Sequence, residues 1–413
     1  MTIKFNRISL QAFFSSILST SASVLSGLFL VVLLASNPLS AQEKVQALDE
    51  NGAPMFKVDP FWPGPLPNRW SMQQVTGIGV DHMDHIWFLN RGNLAQGDEI
   101  GGIGNPPRTD CCIRGPEVIE MDQEGNVINA WGGPGYNSTW PTSLQTVIAD
   151  RDGFVWVGGL GAQDSIQKYT REGELVWDFG HRPPEGVTLE ENNQQTDVLP
   201  RKGRFQLDQD AREIYIINWK RVLVYGMDDG EFKRGWGGHG MPLSEVSNDP
   251  IAAYEWDGSR PPEERQFVPD LHFLEIATDG LVYVGERGQN RIQVFQKDGT
   301  WVEDFYVAEG TPGRGEGCGG LRVTEMAPCG SMYKLAISKD AEQKYLYMAD
   351  GTNNRVWLVD RQSGETLGSF GGNGRYAGQL HWVNAIATDS LGNIYTGEVE
   401  HGKRIQKFEP VWE

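Results

Sequence analysis

The sequence predicts an all-β fold, a six-bladed propeller, and three observations predict it. A phrase of alternating apolar and polar residues recurs six times at a spacing of tens of residues, the mark of a repeat architecture. Dipeptides such as Asp152-Gly153, Asp229-Gly230, Asp279-Gly280 and Asp298-Gly299 punctuate the phrases where tight hairpin turns belong. Helical periodicity of any length is absent beyond the first 41 residues, while 51 glycines and 14 tryptophans suit short strands, tight turns and aromatic packing between blades.

The first unit opens at Gly77 with GIGVD, continues through HIWFLN and ends on EVIEMDQEGNVINAWGG. The second runs from Thr146 as TVIADRDGFVWVGG and SIQKYTREGELVWDFG. A weaker third begins at Phe205 and passes through EIYIIN, KRVLVY and DDGEFKRGWGG. The fourth, Leu274 to Phe305, is the clearest, with LVYVGERGQNRIQVF at its centre; the fifth starts at Lys334 and carries YLYMADGTNNRVWLVD. The last, from Ala385, stops after three strands at Phe408. Met55 to Asp59 has no blade of its own, so it is expected to supply the missing outer strand, which closes the ring and removes an exposed sheet edge.

The segment 1–41 has Lys4 and Arg7 as its only charges and an apolar stretch from Val24 to Leu34, too short for a comfortable membrane span. It reads as a signal peptide cleaved between Ala41 and Gln42, leaving 42–413 as one domain in a periplasmic or secreted protein. The formal charge is −19, and losing Lys4 and Arg7 with the leader brings it to −21. Such acidity repels phosphate backbones and anionic headgroups, which excludes nucleic acid and membrane surfaces as partners and leaves small molecules, peptides or another protein. The chain also lacks a G-x-S-x-G elbow, a P-loop and a dinucleotide fingerprint.

Strands alternate in direction within a blade, so the short turns fall on one face. The long segments, Arg91 to Gly115, His181 to Gly203, His239 to Asp270 and Gly310 to Ser331, rise from the other. Long loops presented by a rigid scaffold carry function, and His181, His239, His272, His381 and His401 share that face with them. Carboxylates end the second strands at Glu286, Asp350 and Glu398, each followed by an arginine (Arg291, Arg355, Arg404) that can brace the loop between. Arg91 and Arg287 have no such partner and are candidates to hold a carboxylate or oxyanion.

The phrases LVYVGERGQNRIQVF and YLYMADGTNNRVWLVD resemble the NHL repeat. Within that class, FKVDPFWPGPLP from Phe56 with IWFLNRGN from Ile86 resembles secreted bacterial relatives of the peptidyl-α-hydroxyglycine α-amidating lyase. The resemblance implies a role for Arg91, which matches a family Arg-Gly phrase. It also implies a zinc site held by histidines at the starts of innermost strands. Gln145 and Asn384, with Leu274 or Tyr333, stand at those places, so the histidine set is not preserved.

The expected function is binding of a small molecule or peptide in a funnel on the loop-bearing face; a metal-assisted lyase or hydrolase, or a protein scaffold, are the alternatives. The candidate catalytic residues are Arg91, His272 and His381. The candidate ligand-binding residues are Arg287, Trp382, Asn384, Gln145 and His401. A divalent metal, calcium or zinc, stays open as a cofactor. Four cysteines in an exported chain imply disulfides, expected as Cys318 with Cys329 and Cys111 with Cys112. A link between the two loops is the alternative.

Overall fold

Each recurring phrase folds into a four-stranded antiparallel sheet, because alternation turns one face of every strand toward the neighbouring blade. The computed structural model describes residues 45–92, 106, 108–252, 257–260, 262–268, 270–313 and 329–413. From the axis outward, the first blade runs Gln74–Val80, Ile86–Arg91, Val118–Met121 and Val127–Trp131. The second runs Leu144–Ala149, Val155–Gly159, Ile166–Tyr169 and Leu175–Asp178, and the third Phe205–Asp208, Glu213–Asn218, Arg221–Gly226 and Phe232–Gly237. The fourth has Leu271–Ile276, Val282–Glu286, Arg291–Phe295 and Trp301–Tyr306, and the fifth Lys334–Ile337, Tyr345–Asp350, Arg355–Asp360 and Thr366–Gly371. The sixth has Val383–Thr388, Ile394–Glu398 and Arg404–Pro410 and takes Phe56–Asp59 as its outer strand, with Phe56 opposite Pro410 and Asp59 opposite Lys407. Phe56 also packs on Tyr347 and Phe370 of the fifth blade, so the closure is apolar as well as hydrogen-bonded.

Among the described residues the core is six apolar clusters, one at each junction between neighbouring blades. Every blade therefore buries both faces, which is why most second and third strands read as near-continuous apolar runs. No helix of the described residues is long and apolar enough to cross a membrane.

The short-turn face repeats one local device. Asp81 accepts the amides of Met83 and His85 at 2.8 and 2.9 Å and the Trp87 indole at 3.1 Å. Asp150 accepts the Phe154 amide at 2.8 Å and the Trp156 indole at 2.7 Å, and Asp389 takes the Asn393 amide at 2.9 Å and the Tyr395 hydroxyl at 3.0 Å. Each clasp satisfies a tight turn and a buried aromatic with one carboxylate. A second device links blades: Gly299 has φ +94°, and a Cβ there would lie 2.8 Å from the Trp236 ring of the preceding blade. Only glycine meets both conditions.

The loop braces differ from one another. Arg291 pairs with Glu286 at 2.7 and 3.1 Å, and Arg404 with Glu398 at 2.9 Å through two nitrogens. Asp350 instead accepts Thr352, Asn353 and Trp357, and Arg355 turns outward to Ser369. The expected Asp350–Arg355 pair is not made, because a short side chain followed by Thr352 and Asn353 is satisfied within its own turn.

The cysteines also depart from expectation. Cys111 and Cys112 are thiols, not a disulfide; Cys111 Sγ lies 3.1 Å from Thr109 Oγ1. Bonding neighbours would close a strained eight-membered ring. Cys329 is disulfide-bonded, while Cys318, its expected partner, lies outside the described residues, as does the segment 1–41.

Candidate functional site

The innermost strands surround a cavity of about 340 Å³ on the propeller axis, lined from all six blades. At its loop-bearing end each blade contributes one residue to the lining: Thr76, Gln145, Arg204, His272, Tyr333 and Asn384. Four of these sit at register shifts, Thr76 at the one between Val75 and Ile78 of the first blade. The pairing slips between Leu144 and Thr146, Leu271 and Phe273, and Val383 and Ala385, making Gln145, His272 and Asn384 the extra residues of β-bulges. A bulge re-aims a side chain, so these three reach the axis from strands whose plain alternation would not predict it.

Arg204, His272, Arg287, Tyr333 and Asp270 form the densest polar cluster at this mouth. Asp270 accepts Arg204 Nη1 at 3.1 Å and Arg287 Nη1 at 2.8 Å. Arg287 also donates to the Cys329 carbonyl at 2.7 Å and the Tyr333 hydroxyl at 3.1 Å, and its guanidinium lies 4.3 Å from the Tyr333 ring. Burial pushes the Asp270 carboxyl up, but Arg287 and Arg204 outweigh it and hold it well below the usual carboxylate range.

His272 is buried, and its Nδ1 lies 2.6 Å from the Tyr333 carbonyl. That acceptor fixes the proton on Nδ1 and leaves Nε2 with a bare lone pair. Burial, reinforced by Arg204 and Arg287, holds the imidazole pKa well below its ordinary value, so the ring is neutral near pH 7. Arg204 uses Nη1 for Asp270 and, at 2.6 Å, for the Leu271 carbonyl. Its Nε is buried with no acceptor, and no bond is formed by Nη2 among the described residues. Deeper in the cavity, Glu275 accepts Lys334 Nζ at 2.5 Å and Gln206 Nε2 at 2.6 Å, a neutral polar belt across three blades.

Of the residues singled out from sequence, Gln145, His272 and Asn384 line the cavity, and Arg287 sits directly behind His272 and Tyr333. Arg91 lies between the first two blades, donating to Gln74 Oε1 at 2.6 Å and the Leu144 carbonyl at 3.4 Å, outside the lining; burial lowers its pKa to about 10. Trp382 is held by its backbone amide on Asn354 Oδ1. His381 and His401 face each other at 6.4 Å, also outside the lining. His181 and His239 brace adjoining elements through Gly230 and Asp304. Sequence reasoning missed Arg204 and Asp270. Their one signal is position, immediately before Phe205 and Leu271, where two innermost strands begin.

The residue set does not fit the expected metals. The layer where a histidine zinc site would stand holds one imidazole beside two guanidinium groups, and its one carboxylate, Asp270, is already held by both arginines. On the opposite face Asp81, His85 and Glu120 lie within 4.8 Å of one another. Arg171 occupies the centre of that group, paired with Glu120 and 2.7 Å from His85 Nδ1, so a protein cation already fills it.

No family model matches the chain. It is 23% identical over 191 residues to NHL repeat-containing protein 3 of Homo sapiens, which covers 45% of this chain and 47% of that protein. The Mus musculus protein is 22% identical over 268 residues, 62% of each. The match thus spans about half to three-fifths of these relatives. Among solved structures, virginiamycin B lyase from Staphylococcus aureus overlays with TM-score 0.44 at 13% identity, covering 86% of this chain and 89% of that one. A Bacteroides thetaiotaomicron protein of unknown function overlays with TM-score 0.49 at 12% identity, covering 89% and 75%. The likeness to the NHL repeat-containing proteins is one of repeat and fold.

Proposed function

We propose that this chain is an exported binding protein, periplasmic or secreted, that holds a small molecule or peptide by a carboxylate at the loop-bearing mouth of its central cavity. The observation that carries the reading is the uncommitted Nε and Nη2 edge of Arg204. That edge has the geometry to donate two parallel hydrogen bonds to a carboxylate. Asp270 keeps the guanidinium in place, and Gln145, His272 and Asn384 supply polar contacts around the seat.

A second reading, a lyase or hydrolase on the same site, is favoured by His272. A neutral imidazole with a bare Nε2 beside a guanidinium pairs a general base with a group that stabilises developing negative charge.

The test is a thermal-shift panel of small carboxylates and of peptides with free C-termini, each run beside its amide. The acids should raise Tm and the amides should not, and Arg204→Met should weaken binding roughly 10- to 100-fold. Equal shifts from acid and amide, or full binding by Arg204→Met, would overturn the proposal. Turnover of a bound acid that is lost in His272→Gln while binding survives would establish the enzymatic reading.

A further inference from the structure

Four of the hairpins that join second and third strands set an arginine opposite the last residue of the second strand; two pair it with a glutamate, one sets it opposite an aspartate bonded within its own turn, and one offers it no acid. Glu286 stands opposite Arg291 in the fourth blade and Glu398 opposite Arg404 in the sixth, and in both the carboxylate accepts the Nε and Nη2 edge of the arginine. The third blade has Asn218 opposite Arg221. Asparagine is one methylene shorter and carries no charge. Its Oδ1 takes only Nη2, at 3.2 Å, and its amide nitrogen turns away to the Pro200 carbonyl at 2.7 Å.

Arg221 is nevertheless fully buried, and both Nε and Nη1 lack an acceptor. The carboxylate whose charge reaches Arg221, Glu191, is committed elsewhere, to Lys220 at 3.0 Å and Asn193 at 2.6 Å. Lys220 is itself buried, so two cations share one partly exposed acid beneath the loops that rise over this blade. A buried charge without a counter-charge costs several kcal/mol, whereas a buried guanidinium with an anion on its free N–H groups is a stable arrangement.

We infer that Arg221 holds a buried inorganic monoanion of halide size, standing where the glutamate carboxylate stands in the fourth and sixth blades. The site lies in the third blade, apart from the central cavity, and is independent of the carboxylate reading made above. Burial lowers the Arg221 pKa to about 10, the direction expected of a guanidinium lacking a full counter-charge.

The whole protein would be melted in potassium gluconate, chloride and bromide at equal ionic strength. Wild type should melt about 1–3 °C higher in the halides, and Arg221→Met should lose that difference while keeping the general salt response. Asn218→Asp restores the carboxylate and should also lose the halide response; the halide slope is its readout, because its absolute Tm also carries the lost bond to Pro200. Should these variants fail to fold, wild-type crystals grown in bromide decide the matter through an anomalous peak within hydrogen-bonding reach of Arg221 Nε. No halide dependence in wild type, a dependence that survives Arg221→Met, or no anomalous peak there would overturn the inference.

Discussion

The two ends of the propeller are built on opposite principles. At the short-turn end, Asp81, Asp150 and Asp389 make nearly the same clasp in three blades, using partners within seven residues of each aspartate. At the loop-bearing end, Thr76, Gln145, Arg204, His272, Tyr333 and Asn384 occupy one layer, and no two are alike. The repeated end stabilises the scaffold locally. The varied end leaves donors bare and an imidazole neutral, and that divergence within a repeat is where the proposed binding would find its specificity.

Substitutions should separate the ends. Asp150→Ala, at the repeated end, strands the buried Trp156 indole and leaves the Phe154 amide without its acceptor, and should cost about 3 kcal/mol by chemical denaturation. A loss under about 1 kcal/mol would show that the clasp is not what holds the blade. Gly299→Ala puts a methyl group against Trp236 at a left-handed φ and should cost about 2 kcal/mol, with Asp298→Ala as the milder comparison.

At the varied end the effects are conditional. His272 has its folded pKa held well below its unfolded value, so the unfolded chain takes up the proton first and this residue makes stability fall as pH drops below about 6.5. Between pH 7 and 5 its share is at most about 2 kcal/mol, and His272→Gln should flatten the stability–pH curve of wild type by that amount. Parallel curves would mean the imidazole takes up its proton as easily in the folded protein. Arg204→Met should change stability least, within about 1 kcal/mol of neutral, since a buried guanidinium without full pairing contributes little to the fold. A large loss there would recast Arg204 as a structural brace.

The same contrast explains what could be read from sequence. The blades were legible because alternation and Asp-Gly turns are local signals, and counting strands placed Phe56–Asp59 in the last blade. The Glu286–Arg291 and Glu398–Arg404 braces were legible from spacing. The mouth was legible in part: Gln145, His272 and Asn384 were singled out and line it, while Arg204 and Asp270 were missed. One extra residue reverses which side chain faces the axis, so the bulges that aim those three residues at it cannot be read from alternation. Arg204 meets Asp270 across 66 residues and a blade boundary, in the weakest of the six repeats. Arg91 stood out for its phrase, yet its partners are Gln74 across its own blade and the Leu144 carbonyl of the next, neither of which lies near it in sequence.

The most direct test of the central claim is a crystal structure of the protein soaked with the carboxylate that gives the largest thermal shift. Carboxylate density should lie within about 3.2 Å of Arg204 Nε and Nη2, beside His272, with Asp270 still on Nη1. Density elsewhere on the propeller, with the Arg204 edge untouched, would contradict it.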